Sequence, residues 1–180
     1  MTYIVPVAQA PNLDHWLPDP ALRIAHERRS SATPHELWDA AQQVKVGETG
    51  LLGRLIRWRI PGTTASQYFA ELFVHEPFIR LEQGETWLVS GIVGRIWTLR
   101  RDYPALDDPD DFRAWSQSGT VKVVFAIWAS ENGLHSEARV QTLGTRGRMG
   151  LAAVRPLISS FHGLIGSEGI AAAVRRAEGR

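Results

Sequence analysis

The stretch 146–177, RGRMGLAAVRPLISSFHGLIGSEGIAAAVRRA, decides how the rest of the chain is read. Leu151, Val154, Ile158, Phe161 and Ile165 recur at spacings of three and four, which lays them in one apolar stripe along a helix. Arg148, Arg155, Arg175 and Arg176 fall mostly off that stripe. Fully helical, the stretch would span roughly 48 Å, the width of a whole domain. Pro156 predicts a kink, since it lacks an N–H and crowds the preceding turn. Gly163, Gly166 and Gly169 each cost about 1 kcal/mol relative to Ala, which predicts a break near 163–169. An apolar stripe of this length needs a sheet to close against.

The strands that would supply it precede the helix. Residues 78–83 and 86–93 alternate and are joined through Gly84, a hairpin pattern. Gly91 and Gly94 predict a bend or bulge, with 95–101 continuing as strand. Residues 119–130 and 134–143 flank Asn132-Gly133, the strongest hairpin signal in the chain. Hairpins make the sheet antiparallel, with one packed and one wet face. Val121, Val123, Phe125 and Ile127 then point inward and Lys122 outward. In the next strand Ser136, Ala138, Val140 and Thr142 face the helix, while Glu137, Arg139 and Gln141 face water. That inner face is small and leaves room between sheet and helix.

Upstream, residues 21–29 alternate as a first strand. Thr33, Pro34 and Glu36 form a capping box with proline at the first helical position, opening a helix. Leu51, Leu52, Leu55, Ile56 and Trp58 predict a second short helix, stopped by Pro61-Gly62. Thr64 to Gln67 reads as another capping box, opening a helix through Tyr68, Phe69, Leu72 and Phe73. Tyr3 to Val7 would add an edge strand. Residues 1–20, with Pro6, Pro11, Pro18 and Pro20, read as an extended arm, and 21–180 as one domain. Residues 102–118 form a polar connection carrying Asp107, Asp108, Asp110 and Asp111.

Composition narrows the function classes. The chain has 180 residues, a formal net charge of +1 and no cysteine. One domain of this size needs no staple. The charge balance gives no general pull toward nucleic acid. Without cysteine there is no disulfide and no thiolate chemistry. No apolar run reaches the roughly 20 residues that span a bilayer, and the start lacks a secretory pattern. The expectation is a cytoplasmic protein without stable membrane insertion.

The order of elements, with Val89-Ser90-Gly91-Ile92-Val93-Gly94-Arg95-Ile96-Trp97, Gly119-Thr120-Val121-Lys122-Val123 and the helix after Thr145-Arg146, resembles the helix-grip fold. That superfamily, START-like or SRPBCC, includes polyketide cyclases and the birch-pollen allergen family. The resemblance implies an α+β fold: a curved antiparallel sheet of about six strands around a long C-terminal helix, with short helices after the first strand. It also implies a cavity that binds a small hydrophobic or amphipathic molecule such as a lipid. An enzyme of cyclase or dehydratase type, or a protein-interaction module, are the alternatives.

The residues placed at such a cavity are Val123, Phe125 and Ile127 from the sheet and Ile158, Phe161 and His162 from the helix. Trp87 and Trp97 would close its wall, each an apolar surface with one N–H donor. Arg155 would meet a polar end. His162 is the candidate acid–base group, a histidine facing an apolar space. No Gly-x-Ser-x-Gly elbow accompanies it. His35-Glu36 and His75-Glu76 lack the second histidine of a zinc helix, so neither a metal nor a cofactor is expected. Gly144 to Gly150, with Arg146 and Arg148, reads as an anion loop at a helix start, or as a basic patch for the acidic loop 107–111.

Overall fold

The computed structural model describes residues 10–59, 62–98, 102–160 and 167–179, without the side chains of 51, 52, 55, 56, 59 and 156–160. The fold is α+β. Its sheet is open and antiparallel, and five strands run among the described residues: β1 (Leu22–Arg29), β2 (Ile79–Gln83), β3 (Trp87–Gly94), β4 (Thr120–Ser130) and β5 (Gly133–Leu143). Their spatial order is β1-β5-β4-β3-β2. Five helices accompany them: α1 (Pro34–Gln42), α2 (Gly50–Arg59), α3 (Pro109–Ala114), α4 (Gly144–Ser160) and α5 (Ser167–Ala177).

The strand expected to continue over 95–101 does not form at 95–98, for a local reason. β3 ends at Gly94, whose φ of 133° belongs to glycine. The Arg95 N–H then donates to the Asp102 carbonyl, and 95–98 turns away from the sheet. The edge strand expected at Tyr3 to Val7 lies outside the described residues. The bulge also sits elsewhere, in β2 between Arg80 and Glu82. Gly91 serves another purpose: a Cβ there would lie 2.7 Å from the Phe112 ring, which occupies that space.

Two expectations from local pattern stand. The Thr33 hydroxyl accepts from the Glu36 N–H and the Glu36 carboxylate accepts from the Thr33 N–H, so the capping box at α1 is complete. The hairpin at Asn132-Gly133 joins β4 to β5, with Ser130 opposite Gly133. A third fails. The second capping box opens no α-helix: only a 3-10 turn forms, at Ala70–Val74. Gln67 and Ala65 instead give their carbonyls to the N–H groups of Val46 and Gly47, and Phe69 donates to Val44. Long-range backbone pairing consumes the groups a helix would need.

Period two assigns the faces of β4 and β5 as expected, but both faces are covered. On one face Leu37, Trp38, Phe69, Leu72, Phe73, Leu88, Phe125, Ala129, Leu134 and Ile170 form a core beneath α1, the 3-10 turn and α5. Val121, Val140 and Leu151 extend it beneath α4. On the other face Leu13, Trp16 and Leu17 from the N-terminal segment join Phe112 of α3 against Leu81, Val89, Val93, Val124 and Ala126. The face expected to be wet is therefore a second core, and Lys122, Glu137 and Arg139 are buried within it.

Those polar groups are satisfied by one another. Arg23 grips Glu137 with two nitrogens, each 2.8 Å from a carboxylate oxygen. Arg139 donates through Nε to the same carboxylate at 2.6 Å, and through Nη1 to Asp14 and the Leu17 carbonyl. The Lys122 ammonium donates to the Arg113 carbonyl at 3.0 Å and lies 4.9 Å from the centre of the Phe112 ring.

At the C-terminal end the chain forms two helices, and Leu151, Val154 and Ile158 of the expected stripe belong to the first. α4 packs on β4 and β5, and α5 packs on α1 and β1. The break was expected near 163–169; residues 161–166 lie outside the described residues, and 167–169 form the start of α5.

Candidate functional site

A concavity lies beside α1. Asp39, Gln42 and Gln43 from the end of α1 face Tyr68, Ala70 and Glu71 across a groove of about 350 Å³. α1 stands here because its cap fixes its start and Leu37, Trp38 and Ala41 bury its inner side. The opposite wall stands because Phe69 is bonded through its backbone to Val44 and Tyr68 bridges to Lys45. Tyr68 is largely exposed at the groove.

Below the groove a narrow apolar pit of about 20 Å³ runs inward to the sheet. It is lined by Trp38, Phe69, Phe73, Leu88, Phe125 and Ile127, with Ala41, Gln42 and Ala70 at the mouth. Gln42 and Ala70 line both spaces, so the groove and the pit are neighbours. Its floor is aromatic: Phe73 stacks on Phe125 with ring centres 4.3 Å apart and planes 13° from parallel. Phe69 and Phe78 meet Phe73 edge-on. The Ser90 hydroxyl donates to the Phe73 carbonyl and fixes that backbone to β3.

The residues placed at a cavity by the sequence fall in several places. Phe125 and Ile127 line the pit. Val123 and Trp97 pack beneath α4, where the Trp97 indole lies against Gly150. Trp87 lies on the opposite face, beside the second core and across from Trp128, so the two tryptophans do not share a wall. Arg155 is exposed on α4. Ile158 belongs to α4 with its side chain outside the described residues, and Phe161 and His162 lie wholly outside them.

Tyr68, Gln42, Gln43 and Phe73 were not marked by the sequence. The signal for Phe73 was misread as a helix face, and the groove residues are mostly polar and come from two separate segments, Asp39 to Gln43 and Tyr68 to Glu71. The basic loop reads differently in three dimensions too. Among the described residues the acidic loop 107–111 pairs with Arg113, through Asp110 at 3.0 Å, and Arg148 donates to Thr145.

Chemically the groove offers two carboxylates, two amides and a phenol beside an apolar pit. Among the described residues no group of three His, Cys, Asp or Glu side chains is placed to hold a metal ion, and no helix is long and apolar enough to cross a membrane. Comparison with protein-family models, with curated proteins and with solved structures gave no match.

Proposed function

We propose that the protein binds a small amphipathic molecule, with its polar end in the groove beside α1 and its apolar end directed into the pit above Phe125. The reading also takes the fold as a variant of the helix-grip type. One observation supports it: the polar groove and the apolar pit lie side by side and share Gln42 and Ala70 as walls. The groove volume lies inside the ~300–1,000 Å³ range of ligand sites. The pit, at about 20 Å³, has room for little more than one water. It takes a chain end only when the Phe73 ring turns off Phe125. A ligand that moves Phe73 is ordinary induced widening of a packed core, since a core this dense has few voids of its own.

The rim selects the head group. Asp39 and Glu71 line the groove and no basic side chain does. A cationic or strongly hydrogen-bond-donating head is favoured there over an anionic one, by up to about 1 kcal/mol per exposed carboxylate. The test pairs extraction of the purified protein, analysed by mass spectrometry, with calorimetric titration of decylamine and decanoate. Decylamine should bind more tightly, and Ala70→Trp should block it. An empty extract with neither amphiphile binding would remove the reading. Equal binding of both would remove the assignment of the rim.

A further inference from the structure

We propose that α2 docks on an anionic phospholipid surface, lying in its plane. The helix reads GLLGRLIRWR, with Arg54, Arg57 and Arg59, the apolar Leu51, Leu52, Leu55, Ile56 and Trp58, and no acidic residue. Basic residues interleaved with leucine and tryptophan are the composition of interfacial helices. The structure adds position. Among the described residues α2 packs chiefly on the 3-10 turn Val46–Thr49 just before it, and the Glu168 carboxylate lies beside its first residue, Gly50. The contact with the turn is through Gly53, where a Cβ would come within 2.0 Å of the Val46 carbonyl oxygen. Arg54 and Arg57 are exposed, and Trp58 is 63% exposed.

Charge selects the occupant. Glu48, the acid nearest the helix in the chain, is held by Arg176 at 2.9 Å, while Lys45 on the same segment is exposed. The helix therefore exposes Arg54 and Arg57 and carries no acidic residue of its own. A neutral surface would answer the tryptophan and leucines but not the arginines. A soluble acidic peptide would answer the arginines but has no acyl layer for the indole. An anionic bilayer answers both, with the indole at head-group depth and the guanidinium groups on phosphates. Ten residues extend roughly 15 Å, too short to span and long enough to lie flat.

The experiment is co-sedimentation of the full chain with phosphatidylcholine vesicles and with vesicles containing about one-third phosphatidylglycerol. Binding should require the anionic lipid. Arg54→Gln and Arg57→Gln should each weaken it about fivefold, and Trp58→Ser should weaken it further with an unchanged melting curve. All three sites are exposed, so the variants keep the fold. Equal binding to both vesicle types, or none, overturns the proposal. So does undiminished binding by the Arg54→Gln, Arg57→Gln double variant. Self-association of the free protein that Trp58→Ser abolishes also overturns it, since the face would then belong to a second copy.

Discussion

Arg139, on β5, donates to the carbonyl oxygen of Leu17 at 3.0 Å, tying the N-terminal segment to the sheet across 122 residues of chain. Arg139 is only 8% exposed, and its guanidinium also holds Glu137 and Asp14. A buried ion pair contributes little over a well-packed apolar pair, but removing one partner strands the other. Glu137→Gln should therefore destabilise by about 3 kcal/mol, read as a shifted denaturant midpoint. Arg139→Met with Glu137→Leu should recover much of the loss.

The same network sets an acid limit. Burial pushes the Glu137 carboxyl up, but hydrogen bonds and charge from Arg23 and Arg139 more than offset it, and its pKa lies below the ordinary 4.5. A carboxylate held below its unfolded value gives stability that is complete above that value and lost as pH falls through the folded one. Unfolding midpoints should fall below about pH 4.5, and Glu137→Gln should flatten that fall. An unchanged slope in the variant would place the acid limit elsewhere.

Lys122 should act in the opposite range. Burial, then the Arg113 charge, lowers its pKa below 10.5. An amine whose folded pKa is lowered carries a penalty while charged, relieved as pH rises from the folded toward the unfolded value. Stability should rise toward alkaline pH in the native protein and less so in Lys122→Met. At neutral pH the substitution should be nearly neutral, because a lost hydrogen bond to the Arg113 carbonyl is offset by removal of a buried charge.

Phe73→Ala should open the pit. Losing a buried phenylalanine costs about 3–5 kcal/mol, part of it for the space left behind. The stacked partner Phe125 would then face the groove. The variant should bind decylamine more tightly, and the ligand should restore part of the lost thermal stability. No gain in binding would separate the pit from the groove.

Gly91→Ala tests the second core. The added methyl would meet the Phe112 ring at 2.7 Å, and Phe112 is completely buried with no room to retreat. Overpacking of this kind costs about 1–3 kcal/mol. The paired variant Gly91→Ala, Phe112→Leu should be less destabilised than the sum of its parts, as thermal unfolding would report.

What the sequence made legible was local. Thr33 and Glu36 are three residues apart, and the hairpin at Asn132 closes on its immediate neighbours, so both could be read directly. Alternation also sorted β4 and β5 correctly into two faces. It could not say what covers them. Glu137 and Arg139 look like solvent-facing residues because each is charged, yet they neutralise each other under a segment 120 residues earlier. Thr64 to Phe73 looked helical because its competing partners, Val44 to Gly47, lie some twenty residues upstream. Trp87 and Trp97 seemed to share a wall because the turn at Gly94 was read as a continuing strand. The groove was hidden for the same reason: its two sides meet only after α1 and the 3-10 turn have docked.

The strand order carries a consequence for how the protein is made. β1 sits at an edge and pairs with β5, so Arg23 must wait for Glu137, 114 residues later. Contacts that distant are slow to close. During synthesis Leu13, Trp16 and Leu17 can settle on β2, β3 and β4 once those strands have left the ribosome, while β1 still waits for β5. A chain halted before Gly133 would hold three finished strands, a covered second face and a first strand without its partner.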